Sequence, residues 1–245
     1  MKGPLLSTCG LVLNQNPYGN DSALVSFATK EGIQSVYAGH VYGKKSPLKP
    51  LLLSMEEVKL EYTLTKDGMY LASFAEAVLD PSLLYASYPK NLLLQFLSEA
   101  SVSFFHYGDS YPLPGMEKIL SALAEGKDPL SLALQSMGLI YQSLGLEEDV
   151  SGCALCGKEK DIVSYSLKEG GFLCRDCLPK TGAVVLDPMD LYVLKYAFLP
   201  LSDQSLLKVV PRDSGKRVLL SLSCYLHDYF DLPRSRSLPL FLEAL

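Results

Sequence analysis

The chain has 245 residues, 48% of them hydrophobic and 20% charged, and its net charge at pH 7 is −5. These proportions are those of an ordered globular protein and exclude an intrinsically disordered chain. The negative net charge also excludes attraction of nucleic acid by the protein as a whole, so binding of nucleic acid would require a local basic patch.

Residues 1–80 have the pattern of short β-strands. From Val58 to Leu64 apolar and polar residues alternate, and Lys66-Asp67-Gly68 then predicts a turn before an extended segment from Met69 to Phe74. Three earlier runs have a similar β-like composition: Cys9 to Leu13, Ala23 to Thr29 and Gly32 to Ala38. About five strands without a long helix fit a small barrel such as the OB-fold, and they also fit an SH3-like barrel or a small sandwich.

Helical periodicity begins after Pro81 and continues to the end of the chain, apart from one cysteine-rich segment. Apolar residues fall on one face of a helix at Leu92, Leu93, Phe96, Leu97, Ala100 and Phe104. Further helices are predicted over 114–125, 129–145, 190–199, 202–209, 214–230 and 237–245, the first two with proline near the start and glycine at the end. The pattern after Pro81 therefore predicts a mainly helical body.

The cysteine-rich segment contains two Cys-x-x-Cys pairs separated by seventeen residues, Cys153 with Cys156 and Cys174 with Cys177. Structural zinc is bound by four such ligands in a tetrahedron, with each sulfur about 2.3 Å from the metal. Gly157 directly follows the first pair, and a positive φ there would turn backbone N–H groups towards the thiolates. Gly170 and Gly171 are expected to make the tight return before the second pair.

Other chemistry for these four thiols fits less well. A redox Cys-x-x-Cys site needs only one pair, and the common iron–sulfur spacings differ from this one. A catalytic zinc keeps an open position for water, whereas four thiolates close the coordination shell. We therefore predict one structural Zn²⁺, whose binding free energy of about 10–16 kcal/mol folds a compact lobe.

The remaining residues show no pattern typical of an active site. His40, His106 and His227 are scattered, and the sequence lacks the common nucleophile, metalloprotease and nucleotide-binding motifs. Cys9 and Cys224 are expected to be small buried hydrophobic residues. The cysteine pattern favours a reducing compartment, and no run of apolar residues is long enough for a membrane span, so we expect a cytoplasmic protein.

Two basic segments are candidates for contact with nucleic acid. Tyr42, Lys44, Lys45 and Lys49 lie in one predicted loop between strands. Such a loop can place its lysines on a phosphate backbone while the tyrosine ring stacks on a base. A second and sparser set includes Lys216 and four arginines, and these arginines are its candidates for DNA contact: Arg212, Arg217, Arg234 and Arg236. A solvated basic surface without a ligand is the alternative for both sets.

Several motifs occur in the order found in one known family. In the N-terminal part these are Tyr18-Gly19-Asn20-Asp21, residues 27–32, Gly39 with Lys44-Lys45-Ser46, and Pro50-Leu51-Leu52-Leu53. The cysteine segment follows the pattern C-x-x-C-G…G-G-x-x-C-x-x-C, and the C-terminal stretch contains Leu226-His227-Asp228 and Arg234-Ser235-Arg236-Ser237. Over nearly the whole chain these motifs resemble the RecO family of bacterial recombination mediators.

The resemblance implies an α+β protein. An N-terminal OB-fold-like β-barrel is followed by an all-helical domain, which contains an inserted zinc-binding lobe with four cysteine ligands. The corresponding domains are residues 1–80 for the barrel, 81–150 and 178–245 for the helical domain, and 151–177 for the zinc lobe.

The resemblance also implies a function in DNA repair and homologous recombination without enzymatic activity. Such a protein binds single- and double-stranded DNA, anneals complementary strands and acts with RecR to help RecA replace single-strand-binding protein. Its helical domain receives the acidic and hydrophobic C-terminal tail of single-strand-binding protein. A cytoplasmic, nucleoid-associated location is implied as well.

Two other classes of function fit the same residues. A zinc-lobe module that bridges proteins without touching DNA agrees with the net charge of −5. A zinc hydrolase or thiol redox enzyme is the second alternative, although a shell of four cysteines leaves no open position for catalysis.

Overall fold

The computed structural model describes residues 4–146, 148–202, 205 and 208–245. The chain is an α+β protein, with a closed β-barrel at the N-terminus followed by helices and a small three-stranded sheet. The predicted helix over 202–209 falls largely outside the described residues. Within the described ranges, no helix has the length and apolar character needed to cross a membrane.

The barrel consists of five strands, β1 (Leu6–Tyr18), β2 (Ser22–Thr29), β3 (Gly32–Ala38), β4 (Glu57–Leu64) and β5 (Tyr70–Ala77). They are hydrogen-bonded in the order β1-β2-β3-β5-β4, and β4 pairs with β1 to close the barrel. β3 and β5 run parallel, and the other neighbouring strands run antiparallel. This closed five-stranded barrel fits the OB-fold among the small β architectures that the sequence allowed.

The barrel core follows from the alternation seen in the sequence. In β4, Val58 and Leu60 are buried in the barrel, whereas Lys59 between them is exposed. Tyr62 of the same strand stacks on Tyr70 of β5, with ring centroids 3.9 Å apart. Because burial of apolar surface contributes about 25 cal/mol per Å², this inward face is the main source of the barrel's stability.

Residues 1–126 and 235–244 form one compact unit, which contains the barrel and four of the described helices. These helices are α1 (Pro81–Leu84), α2 (Tyr88–Phe104), α3 (Leu113–Ala124) and, near the C-terminal end, α7 (Ser237–Ala244). α2 packs on α7 and on β1, where the Ser98 hydroxyl donates a 2.6 Å hydrogen bond to the Leu13 carbonyl. The apolar face predicted for residues 92–104 is thus buried within this unit.

The carboxylate of Glu99 joins α2 to the start of α7. It accepts hydrogen bonds from the backbone N–H groups of Arg236 (2.8 Å) and Ser237 (2.9 Å) and from the hydroxyls of Ser235 and Ser237. Burial raises the pKa of Glu99, but these hydrogen bonds outweigh burial and hold it below its usual value. A negative charge at the N-terminal end of a helix satisfies N–H groups that lack a partner within the helix.

Residues 127–234, with Leu245, form a second compact unit. It contains α4 (Pro129–Ser143), α5 (Pro188–Ala197), α6 (Arg212–Tyr229) and the strands β6 (Asp149–Cys153), β7 (Ile162–Ser166) and β8 (Gly171–Cys174). Asp187 caps α5 by accepting a 2.7 Å hydrogen bond from the Met189 N–H, so this helix begins two residues before the predicted start at residue 190. α4 is joined to α6 by a 2.9 Å hydrogen bond from the Tyr141 hydroxyl to the Leu222 carbonyl.

The two compact units do not test the three predicted domains. Each unit is a region of dense contacts, whereas a domain boundary marks a segment that folds by itself. The boundaries predicted at residues 80 and 150 therefore remain a prediction. A truncated chain that folds alone would establish them.

The expectation that Cys9 and Cys224 are buried is wrong. Cys9 is exposed, because it lies on β1 opposite Lys59 and shares that residue's outward direction. Cys224 is only partly buried on α6. Both cysteines lie outside the paired motif, which makes them useful controls for the thiols within it.

Glu56 is a buried acid next to the barrel strand β4. Its side chain is fully buried, and neither carboxylate oxygen has a hydrogen-bond partner among the described residues. Burial raises the pKa of Glu56 to about 7, and the nearby charges of Glu57 and Asp80 raise it further. The folded state thus holds the proton more tightly than the unfolded state does.

The linkage between this proton and folding predicts a pH-dependent stability. Because the pKa of Glu56 is higher in the folded state, its bound proton stabilises that state. This stabilisation is complete below the unfolded pKa and is lost as the pH rises through about 7. Replacing Glu56→Gln should therefore stabilise the protein at pH 8, by about 1–3 kcal/mol, and have little effect at pH 5. Urea denaturation at the two pH values measures this difference. The exposed substitution Glu76→Gln is the control, and equal effects of Glu56→Gln at both pH values would contradict the prediction.

Candidate nucleic-acid interface and metal centre

The predicted basic loop is an exposed connection on the barrel. It follows β3 and ends at a short 3-10 helix, Lys49–Leu52. Val41 and Leu48 are buried in the barrel core and fix the two ends of the loop. Between them, Lys44 and Lys45 are exposed. The sequence folds this way because two apolar anchors enclose a short segment of mostly polar and turn-forming residues.

Local turns give the loop a defined conformation. The Gly43 N–H donates to the His40 carbonyl over 3.2 Å, and the Ser46 N–H donates to the Gly43 carbonyl over 3.0 Å. Within the part of the chain that the structure describes, neither Lys44 nor Lys45 forms an ion pair with a carboxylate. Their charges are therefore available to an anionic ligand.

The basic loop also contacts the turn between β1 and β2. His40 contacts the Asp21 carboxylate through Nδ1, and this hydrogen bond lowers the pKa of Asp21. Lys49 and Tyr42 both lie exposed on the same connection, Tyr42 with 45% of its surface accessible. The structure thus brings together the four residues of the first predicted set on one exposed loop.

Two aromatic residues of the barrel wall were missed in the sequence. Tyr18, at the end of β1, is 56% exposed, and its ring lies edge-on to that of Tyr37 with centroids 6.0 Å apart. The Ser22 and Tyr37 hydroxyls are hydrogen-bonded over 3.1 Å. Tyr37 is opposite Leu71 of β5, which is also exposed. Strand alternation assigns these side chains to the outer face, but only the register brings them together.

The second predicted set, the four arginines, is divided between the two units. Arg217 forms two hydrogen bonds with Asp190, of 2.8 and 3.1 Å, and Arg234 pairs with Asp228 over 2.6 Å. Arg212 contacts the Leu245 carbonyl. Those three lie in the second unit and already have partners. Arg236 is exposed and lies in the first unit, with the barrel.

The four paired cysteines form one cluster in the second unit. β6 and β8 are parallel neighbours, and Cys153 and Cys174 are their last residues, so both Cys-x-x-Cys turns leave the same end of the sheet. All four sulfurs lie within 4.8 Å of one another. The four residues that the spacing predicts as metal ligands therefore lie close together.

The backbone after the first pair has the positive φ predicted at Gly157. Gly157 has a φ of +72°, and its N–H donates a 2.7 Å hydrogen bond to the Cys153 carbonyl. The left-handed conformation favours glycine because it has no Cβ atom. Lys158 then forms ion pairs with Asp161 (2.9 Å) and with Asp176 in the second Cys-x-x-Cys turn (3.1 Å). The two cysteine pairs are therefore joined through side chains as well.

The protonation states of the thiols depend on one another. Burial raises the pKa of Cys153, but hydrogen bonds from the backbone N–H groups of Cys174 and Leu155 outweigh it, so this pKa lies below that of a free thiol. The contact with Cys156, together with burial, raises the pKa of Cys177. A bound cation would lower the pKa of all four thiols, because it favours their thiolate form.

The cluster has the dimensions of a metal site. In a tetrahedron with each sulfur about 2.3 Å from the metal, neighbouring sulfurs are about 3.8 Å apart. The Cys156 and Cys174 sulfurs are separated by 3.7 Å. The four cysteines can therefore hold a metal ion, and a shell completed by four sulfurs would have a structural role.

Comparison with known proteins identifies the family. A model described as "Recombination protein O C terminal" matches residues 115–239, slightly more than half of the chain, including all four clustered cysteines. The chain belongs to the RecO family.

Curated relatives of this RecO-family protein cover more of the chain than the family model does. The DNA repair protein RecO of Lactobacillus delbrueckii subsp. bulgaricus is 26% identical over 208 residues, which are 82% of this chain and 83% of the relative. The DNA repair protein RecO of Bacillus mycoides is 24% identical over 172 residues, 67% of each chain. The predicted resemblance to the RecO family is thus confirmed, and the family is one of DNA repair and recombination proteins.

Proposed function

We propose that this RecO-family protein acts in DNA repair and homologous recombination as a mediator without catalytic activity. It binds single- and double-stranded DNA, anneals complementary strands and helps to load RecA on strands coated with single-strand-binding protein. The observation that carries the proposal is the exposed basic loop, with Lys44 and Lys45 free of carboxylate partners among the described residues, on an OB-fold-like barrel.

The loop supplies the electrostatic part of DNA binding. Each lysine that neutralises a phosphate releases counterions, so affinity falls as the salt concentration rises. Because the loop is local, it can attract DNA although the protein has a net charge of −5. Contacts of this kind carry no base preference, which suits a protein that must act on any damaged sequence.

The barrel wall supplies a surface on which bases can stack. Tyr18, Tyr37 and Tyr42 are partly or largely exposed, and a tyrosine ring stacks on any base for about 1–3 kcal/mol. Annealing requires that two negatively charged strands approach each other. Lysines that neutralise the phosphates of both strands reduce this repulsion. Bases that stack on the tyrosines are separated from their neighbours in the strand, so their pairing edges stay open.

The arginines have a secondary role in this proposal. Arg212, Arg217 and Arg234 would have to exchange an existing partner for a phosphate, which reduces the gain from DNA binding. Arg236 has no such partner for its guanidinium among the described residues, and it is the arginine that we include in DNA binding.

The metal in the cysteine cluster is proposed to be one structural Zn²⁺, bound by Cys153, Cys156, Cys174 and Cys177. Tetrahedral thiolate sites prefer zinc, and this one leaves no coordination position for a substrate. The ion holds the lobe together and takes no part in a reaction. The proposal that the protein is not an enzyme rests on this closed shell and on the lack of a catalytic motif in the sequence.

Partners and location follow from the same proposal. RecR and the C-terminal tail of single-strand-binding protein are direct partners, and RecA is an indirect one. The second unit has a cavity of about 240 Å³, whose lining includes Leu194, Val218 and the Arg217–Asp190 ion pair. The apolar part suits the hydrophobic residues of such a tail, and an acidic residue of the tail would replace Asp190 as the partner of Arg217. The protein would act in the cytoplasm, close to the nucleoid.

The experiment that tests DNA binding by this surface removes two exposed rings. The double substitution Tyr18→Ala/Tyr42→Ala should weaken binding of labelled single-stranded DNA about tenfold or more, because two stacking contacts of about 1–3 kcal/mol are lost. The salt dependence should stay the same, since no charge changes. Fluorescence anisotropy across a salt series measures both quantities.

The control for this experiment is Tyr88→Ala, which removes a ring that is 66% exposed on α2 of the same unit. Unchanged affinity of the double variant would remove the barrel wall from the interface. If the unaltered protein showed no salt-sensitive binding of DNA, the proposal would be wrong and a protein-bridging module would replace it.

A further inference from the structure

The second unit contains a larger cavity that the proposed DNA-binding function does not use. Its volume is about 500 Å³, and it lies between α4, the start of β6 and the C-terminal end of α5. Gly138 of α4 makes this arrangement possible, since a Cβ atom there would lie 2.0 Å from the Ala197 carbonyl oxygen. The end of α5 therefore lies directly against the α4 backbone.

Two polar groups in this cavity lack partners. Gln135 is 2% exposed, and neither its amide nitrogen nor its amide oxygen has a hydrogen-bond partner among the described residues. The Oε2 atom of Glu148 is also buried without a partner at hydrogen-bond distance, although the Tyr165 hydroxyl lies close enough to lower the pKa of this carboxyl. An unpaired buried polar group costs about 1–3 kcal/mol, so a ligand that bonds to these groups would recover that free energy.

The cavity favours positive charge. Glu148 and Asp149 are acidic, and none of the described residues that line the cavity is lysine or arginine. α4 and α5 both end beside it, and the C-terminal end of a helix carries a partial negative charge. The Asp149 carboxylate already accepts hydrogen bonds from Ser151, which leaves Glu148 as the counter-ion for a ligand.

Apart from Gln142, the rest of the wall is apolar, and it includes an aromatic ring. Leu139, Phe198 and Leu199 are among the lining residues. An aromatic face attracts a cation by about 0.5–2 kcal/mol, and an acid beside such a face is a combination that binds guanidinium and ammonium groups. The apolar lining residues beside Glu148 and Phe198 also suit a hydrocarbon stem.

We propose that this cavity binds a guanidinium or ammonium group carried on a hydrocarbon stem, with Glu148 as its counter-ion and Gln135 as a hydrogen-bond partner. The cation is supplied by a free small molecule or by a basic side chain of a partner protein. This site is separate from the DNA-binding surface proposed for the barrel, and a test of one does not depend on the other.

Binding should depend on pH in a defined direction. Burial raises the pKa of Glu148 to about 7, although the facing hydroxyl of Tyr165 lowers it in part. Tyr141 on α4 and Tyr225 on α6 also face this carboxyl, and the neighbouring Asp149 lies beside it. Because a proton competes with the ligand for Glu148, affinity for a cation should rise between pH 6 and pH 8.

The test is calorimetric titration of the full chain with butylguanidinium and, as its neutral counterpart, butylurea. We expect binding of the cation and at least tenfold weaker binding of the urea. Glu148→Gln and Gln135→Leu should each weaken binding of butylguanidinium about tenfold or more, as expected for loss of a hydrogen bond to a charged group. The exposed substitution Glu159→Gln, in the same unit, should change nothing.

A comparison of butylguanidinium with Nα-acetyl-arginine amide separates the two sources. Tighter binding of the blocked arginine indicates a side chain of a partner, and weaker binding indicates a free small molecule; both outcomes support a cation site. Equal binding of butylguanidinium and butylurea would overturn the proposed cation site. Failure of both probes to bind would also overturn it, because water alone would then fill the cavity. This comparison uses the unaltered chain and holds even if a variant fails to fold.

Discussion

Replacing Cys174→Ser should abolish metal binding and unfold the cysteine lobe. Cys174 is fully buried at the end of β8, and its sulfur is 3.7 Å from that of Cys156. Loss of one thiolate removes most of a binding free energy of about 10–16 kcal/mol, which the small core around the cysteines cannot replace. Zinc content should fall from one ion per chain to nearly none, and residues 149–177 should become sensitive to protease.

The matched control is Cys224→Ser, a cysteine of the same unit that lies outside the cluster. It should keep both the metal and the protease resistance. DNA binding by the Cys174→Ser variant should persist, because the barrel loop belongs to the other compact unit. A variant that keeps one zinc per chain would contradict the four-thiolate site.

The double substitution Lys44→Ala/Lys45→Ala should weaken binding of single-stranded DNA by about tenfold to a hundredfold at low salt. Each phosphate contact contributes about 0.7 to the slope of log affinity against log salt concentration. Loss of two contacts should therefore reduce the magnitude of this slope by about 1.4. Fluorescence anisotropy from low to moderate salt measures the affinity and the slope together.

Lys160→Ala/Lys168→Ala is the control for this pair, because it removes the same charge from two exposed lysines of the other unit. It should leave the slope unchanged. If both double variants behaved alike, net charge rather than the loop would govern binding. If the Lys44/Lys45 variant kept the affinity and slope of the unaltered protein, the loop would have no part in binding DNA.

The features that the sequence predicts well are those with a local physical cause. The alternation from Val58 to Leu64 predicts β4 because successive side chains of a strand point to opposite faces. Proline at the start of 129–145 predicts α4 for a similarly local reason. The cysteine spacing predicts that the four sulfurs lie together, since each Cys-x-x-Cys turn brings two sulfurs close to each other.

Features that depend on distant parts of the chain are not visible in the sequence. Tyr18 and Tyr37 meet only because β1, β2 and β3 pair in a particular register. The ion pair of Arg217 with Asp190 depends on how α5 and α6 pack, so the sequence shows a basic residue but not that its charge is already paired. Gln135 gives no signal at all, because an unpaired amide becomes unusual only when it is buried.

The most direct test of the proposed mediator function is annealing of complementary DNA strands coated with their cognate single-strand-binding protein. The rate should be measured with and without this protein, in the presence of RecR and across a salt series. The account predicts acceleration that fades as the salt concentration rises and that is lost in the Lys44→Ala/Lys45→Ala variant. No acceleration at any salt concentration, with RecR present, would contradict the account and favour a protein-bridging role for the chain.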